Sequence, residues 1–128
     1  MSIRRAYKAY KKGSQNFVML FNWMTDSEAW LDLKPQPRAL YLQIKRRFNG
    51  DNNGEIFLSH RDAAKFLNMH RNSIGTYFDV LIEHGFLKQT SRPHLGPSGV
   101  GQSSKWALTE LPVNQRPATK EFMRWRKK

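Results

Sequence analysis

Thirty consecutive residues, LSHRDAAKFLNMHRNSIGTYFDVLIEHGFL (58–87), constrain the fold of this chain more than any other part of it. Ser59 is a good helix N-cap, and Asp62 three residues later resembles a capping box with Asp in place of Glu or Gln. The short helix this starts carries Ala63, Ala64 and Leu67, small enough at its middle for another helix to cross closely. Asn68 follows where a tight turn needs positive φ, which Asn tolerates better than any residue but Gly. The spacing of Ile74, Tyr77, Phe78 and Leu81 predicts a second helix over about 71–83 with those side chains inward, closed by Gly85. His70 holds its N-cap position and caps less well than Ser or Thr. Two helices joined by a three-residue turn are the result.

The flanks supply the rest of a small domain. Phe17, Leu20, Phe21 and Met24 fall at i, i+3, i+4 and i+7, predicting a short amphipathic helix before the break at Thr25-Asp26-Ser27 and a further turn over 28–31. Lys34-Pro35-Gln36-Pro37 marks the next helix start, because proline is tolerated in a first turn. That helix is expected to send Leu40, Tyr41, Ile44 and Phe48 inward and Lys45, Arg46 and Arg47 outward, and to end at Asn49-Gly50. After a turn at 51–54, residues 56–58 read as a brief strand. Residues 86–90 and 105–109 read as a hairpin, Trp106 and Leu108 alternating with Lys105, Ala107 and Thr109 as a half-buried strand requires. Between them, 91–104 is rich in Pro, Gly and Ser and reads as a long flexible loop. Ala118, Phe122 and Trp125 at i, i+4 and i+7 suggest a short C-terminal helix docked on the core. The fold class is mainly α with a small β-hairpin.

Charge narrows the partner. The chain carries a formal +12 and a pI near 10.4, which point to a polyanion. Residues 1–13 hold +5 with no acid, and residues 112–128 hold +5, whereas 14–54 and 55–111 contribute only +1 each. The expected organisation is a basic N-terminal arm (1–13), a domain over 14–111 and a basic C-terminal extension with a short helix (112–128). Arms alone bind any polyanion, so specificity must come from the nearly neutral middle. The longest solid apolar run spans only residues 17–21, too short for a membrane span or a signal peptide. Without cysteine, disulfides and Cys-based metal sites are excluded. A soluble, cytoplasmic, nucleoid-associated protein is the expectation.

The order helix, strand, helix, turn, helix, hairpin resembles the winged helix-turn-helix superfamily. The pattern Leu58-Ser59-x-x-x-Ala63-Ala64-x-x-Leu67, then RNSI (71–74) and LIEHGFL (81–87), is similar to its bacterial transcription regulators. KRRFNGDNNGEIFLS (45–59), HGF (84–86), KWALT (105–109) and PATKEFMRW (117–125) extend the likeness to small proteins of bacterial plasmids, phages and integrative elements. The resemblance covers about residues 17–125 and implies a sequence-specific protein for double-stranded DNA, with a recognition helix at about 71–83 and a wing at about 91–104. It places His70, Arg71, Asn72, Ser73 and Thr76 at base edges, where Arg pairs bidentately with guanine and Asn with adenine. It places Ser59, His60, Arg61, Lys88, Arg92, His94 and Lys105 on the DNA backbone. Arg4, Arg5, Lys8, Lys11 and Lys12 of the first arm, and Arg124, Arg126, Lys127 and Lys128 of the second, join them as phosphate contacts. Gly75, one turn into the second helix, would let it approach the groove closely. Gly75 and Asp79 also depart from the pattern, since relatives often carry basic side chains there.

Other chemistries have little support. The four histidines (60, 70, 84, 94) show no i, i+3 or i, i+4 pairing, so no metal is expected. Residues 96–101 lack the Gly-Lys-Ser/Thr of a phosphate-cradling loop, and Ser59 beside His60 is no triad. No catalytic residue, cofactor or small-molecule substrate is expected, and the chain reads as a non-enzyme. Two alternatives stay open: an accessory protein of replication, excision or partition using the same fold, and a protein-interaction module using Val80 and Ile82. A homodimer through residues 17–24, Trp30 or Trp125 is equally open, because burial within one chain explains the same residues.

Overall fold

A computed structural model describes residues 17–91, 94–95, 101–102 and 105–128, without the side chains of 91–104. Among them the chain forms helices α1 (Asn22–Thr25), α2 (Glu28–Asp32), α3 (Pro35–Lys45), α4 (His60–Leu67) and α5 (Arg71–Glu83). The strands are β1 (Ile56–Phe57), β2 (Leu87–Ser91), β3 (His94–Leu95), β4 (Gly101–Gln102) and β5 (Lys105–Leu108), and a 3-10 turn spans Glu121–Arg124. Strands β1, β5 and β2 pair antiparallel in that order, with Ile56 opposite Trp106 and Leu87 opposite Leu108. No helix among the described residues is long and apolar enough to cross a membrane.

Local chemistry accounts for the helix ends. The Ser27 hydroxyl accepts the Trp30 amide at the start of α2, and Ser59 Oγ accepts the Asp62 amide at 3.0 Å at the start of α4. Pro35 stands at the first position of α3. Asn68 ends α4 at φ 54 and ψ 48, the left-handed conformation expected of it. Gly85 follows α5 at φ +86, and a Cβ there would lie 2.6 Å from the Phe122 amide nitrogen. Only glycine fits both demands.

The core lies where α3 and α5 pack over the sheet. Trp30 meets Tyr41 and Phe86 edge-on at 5.5 Å, and Phe86 stacks on Phe122 at 4.9 Å. Leu40, Tyr41, Ile44 and Phe48 are buried as their spacing required, as are Ile74, Phe78 and Leu81; Tyr77 is only half-buried. Phe122 belongs to this same core and Trp125 packs against it, as the docking of the C-terminal segment required.

Several expectations are corrected. Residues 17–21 are not helical, and only Asn22–Thr25 forms a turn of helix. Nucleating a helix this short is costly, and Phe21 and Trp23 instead stack at 5.1 Å with Trp23 next to Phe122. The C-terminal helix is a single 3-10 turn. Ala107 and Thr109 are buried like Trp106 and Leu108, because the C-terminal segment covers the second face: Thr109 accepts the Lys120 amide and donates its hydroxyl to Gly85 O. Part of the expected loop is paired strand, His94 lying opposite Gln102 and Leu95 opposite Gly101.

Lys45 is the largest departure. It is not outward but 1% exposed, with Nζ 3.0 Å from a buried Glu110 oxygen and beneath the Phe21 ring. Burial pulls the lysine down to about 7 and pushes the carboxyl up to about 8. Removing either partner alone leaves the other polar group buried without a partner, at a cost of about 1–3 kcal/mol.

Candidate nucleic-acid interface

The turn between α4 and α5 creates an open groove of about 740 Å³. On α4, Arg61 and Lys65 stand at i and i+4 and so share a face, and Asn68 follows at the left-handed cap that ends the helix. Across the turn, His70 and Arg71 complete the lining, with Ala64 and Met69 as its floor. No acidic side chain lines the groove. Arg61, Lys65, Asn68, His70 and Arg71 are all exposed. Arg61, Lys65 and Arg71 make no ion pair with any described residue. Lys65 and Asn68 are not among the residues that the resemblance places on DNA; their i+4 and i+7 spacing from Arg61 is the sequence signal that points to them.

At the start of α5, His70 takes the capping role. Its Nδ1 accepts the Asn72 amide at 3.1 Å, which leaves Nε2 carrying the proton and pointing a donor away from the helix. The helix therefore begins at Arg71, despite a weaker cap than serine. Arg71, Asn72 and Thr76 are exposed and Ser73 is half-buried. Asn72 and Thr76 share a face at i, i+4, and Asp79 and Glu83 continue it toward the other end. One face of α5 thus runs from polar to acidic along about 20 Å of helix.

His60 is exposed at the start of α4. Its ring stacks on Phe78 at 4.7 Å, and Phe78 stacks in turn on Trp106 at 4.7 Å. Desolvation holds its pKa below the ordinary histidine value, with Asp79 opposing and Arg71 assisting. The imidazole is neutral near pH 7 and can only hydrogen-bond. A Cβ on Gly75 would lie 3.7 Å from the His60 ring, so this glycine faces α4 rather than open solvent. Ser59 Oγ is occupied by its cap bond.

Among the described residues, most of the remaining cations expected on the backbone already have partners within the chain. Lys105 pairs with Glu55 at 2.8 Å and Lys88 with Glu121 at 3.6 Å. Lys127 reaches Asp32 at 3.7 Å, and its amide donates to Glu28 at 2.8 Å. Arg124 and Arg126 donate to nearby carbonyls, of Thr119 and of Met123 and Trp125. Lys128 is exposed. Trp125 stacks on His84 at 4.4 Å, and His84 Nε2 meets Asp32 at 2.9 Å. These contacts fasten the C-terminal segment to the far end of α5, leaving its first turn clear of that segment. Arg4, Arg5, Lys8, Lys11, Lys12 and Arg92 lie outside the described residues, as does the side chain of His94. Trp30 and Trp125 are accounted for by packing within one chain.

No protein-family model, curated protein or solved structure matches this chain.

Proposed function

We propose that the chain is a winged-helix protein that binds double-stranded DNA by sequence, with α5 as recognition helix and the β2–β5 hairpin as wing. The observation that carries this reading is the acid-free groove of Arg61, Lys65, Asn68, His70 and Arg71, open beside the exposed Asn72 and Thr76. A major groove admits one helix, and residues at that helix's N-terminus reach base edges. Arg71 and Asn72 are the side chains for bidentate base contacts. Arg61 and Lys65, with the His70 ring N–H, hold phosphates on the flanking strand. Asp79 and Glu83 would repel phosphate, so α5 enters by its first turn and a half, tilted, with its acidic end held out of the groove.

Regulation of transcription is the use this fits best; an accessory role at an origin or attachment site needs the same face and differs only in where the bound sequence lies. Enrichment from a random duplex pool at moderate salt is the test. A defined motif is expected, and Arg71→Ala should relax one position of it by about 1–3 kcal/mol while leaving the fold intact. A folded protein that enriches no sequence would overturn the proposal, and would favour a protein-interaction role in which the exposed Ile82 takes part.

A further inference from the structure

Gly75 leaves a gap on the flank of α5, and a side chain from α4 occupies it. Arg71, Gly75 and Asp79 recur every four residues and so form one row along the helix. The His60 ring lies against that row. A Cβ on Gly75 would stand 3.7 Å from its Cε1 and 3.9 Å from its Nδ1, and both Arg71 and Asp79 act on the ring electrostatically. The imidazole is therefore carried on α5 although it belongs to the neighbouring helix.

Its placement is fixed from below. The ring stacks on Phe78 at 4.7 Å and 14°, and Phe78 stacks on Trp106 at the same distance and angle. Phe78 and Trp106 are 1% and 2% exposed, so the stack is rooted in the core and His60 is its exposed end. A side chain already held in one orientation gives up less freedom when it forms a bond. Its nitrogens are available for one. His70 and His84 engage ring nitrogens within the chain, whereas neither nitrogen of His60 has a hydrogen-bond partner among the described residues. Desolvation keeps the ring neutral near pH 7, so it presents one donor and one acceptor rather than a charge. Phosphate is drawn by charge, but base edges are told apart by donors and acceptors.

We propose that His60 reads one base pair, delivered to the major groove by α4 through the gap at Gly75, beside the pairs read by Arg71 and Asn72. This role rests on α5 being the recognition helix, whose entering first turn and a half contains Gly75. It replaces the backbone contact that the resemblance implies for this histidine, which would be indifferent to sequence. It also gives Gly75 a purpose: a long basic side chain there would take the space of the ring.

The test is enrichment of bound sequences from a random duplex pool, with the whole chain unaltered and with His60→Phe and Arg71→Ala. Phenylalanine keeps the stack on Phe78 and loses both nitrogens, so a purely structural role would leave the motif as it was. In His60→Phe, one position distinct from that relaxed by Arg71→Ala should lose its preference by about threefold to tenfold, the worth of one hydrogen bond. Transfer of that preference to thymine, whose methyl group suits an apolar ring, would equally support the role. The other positions and the circular dichroism should stay as they were. His60→Ala, at an exposed helix position, should flatten the same position and decides the matter if His60→Phe does not fold. A motif unchanged in the folded variant, affinity lost equally for all sequences, or relaxation confined to the position set by Arg71 would each overturn the role of His60 and leave α5 as the reader. No motif from the unaltered chain would overturn both.

Discussion

The groove between α4 and α5 and the C-terminal segment are alike in composition and opposite in construction. Both are rich in Lys and Arg. In the groove, Arg61, Lys65 and Arg71 stand in solvent without a carboxylate partner among the described residues. In the C-terminal segment, Lys127 is held by Asp32 and Glu28, while Arg124 and Arg126 bond nearby carbonyls. Cation count therefore says little about which surface meets a polyanion. What matters is whether the charge is already engaged and whether its backbone is anchored in the core. The two ends of α5 make the same point: Arg71 is open, and His84, just past the other end, lies under Trp125.

The sharpest way to break this comparison is to treat the C-terminal segment as core. Phe122→Ala should cost about 3–5 kcal/mol in urea unfolding, as for any large buried aromatic. A loss under about 0.5 kcal/mol, as for an ordinary surface site, would return the segment to the status of an arm. Gly85→Ala should follow at about 2–4 kcal/mol, combining the strain of positive φ with a Cβ driven against the Phe122 backbone. Thermal and urea midpoints measure it; a neutral outcome would mean that the segment does not sit against Gly85.

The groove is sharpened by salt rather than by stability. Arg61→Ala and Lys65→Ala should each reduce the slope of log affinity against log salt by about 0.9 on a DNA duplex, one phosphate apiece. Arg126→Ala and Lys127→Ala should leave that slope where it was. Fluorescence anisotropy across a salt series reads both, and equal slopes for the two pairs would erase the distinction. The smallest effect belongs to Asp32, whose carboxyl is held below its ordinary value of 3.8, first by the hydrogen bond from His84. A lowered carboxyl contributes stability that is present above 3.8 and lost as pH falls through the lower folded value. Asp32→Asn should therefore unfold slightly more easily than the parent at pH 6 and no more easily at pH 2. A difference that persists at pH 2 would show that packing, not charge, sets the role of Asp32.

How far the molecule could be read beforehand depended on the range of the interaction. Ser27, Pro35, Ser59, Asn68 and Gly85 punctuate helices through contacts within a few residues, and all five act as their chemistry requires. The exposed start of α5 was legible for the same reason, since Ile74, Phe78 and Leu81 set which face turns inward and so which is left to Asn72 and Thr76. Asn53 reads as an ordinary turn residue, yet its amide donates to Leu108, Leu111 and Pro112 carbonyls and its oxygen accepts the Leu108 amide. Nothing near it in the chain announces those partners, more than fifty positions away.

Amino-acid order alone determined the two crossing helices, their turn, the apolar stripe of α3 and the hairpin that follows α5, because periodicity and capping are local properties. Tertiary structure alone decided that Lys45 is buried beside Glu110, that residues 17–21 stay out of a helix, and which cations remain unpaired. Each of those outcomes depends on a partner distant in the chain, and the free energy of burying or pairing a group exists only once that partner has arrived.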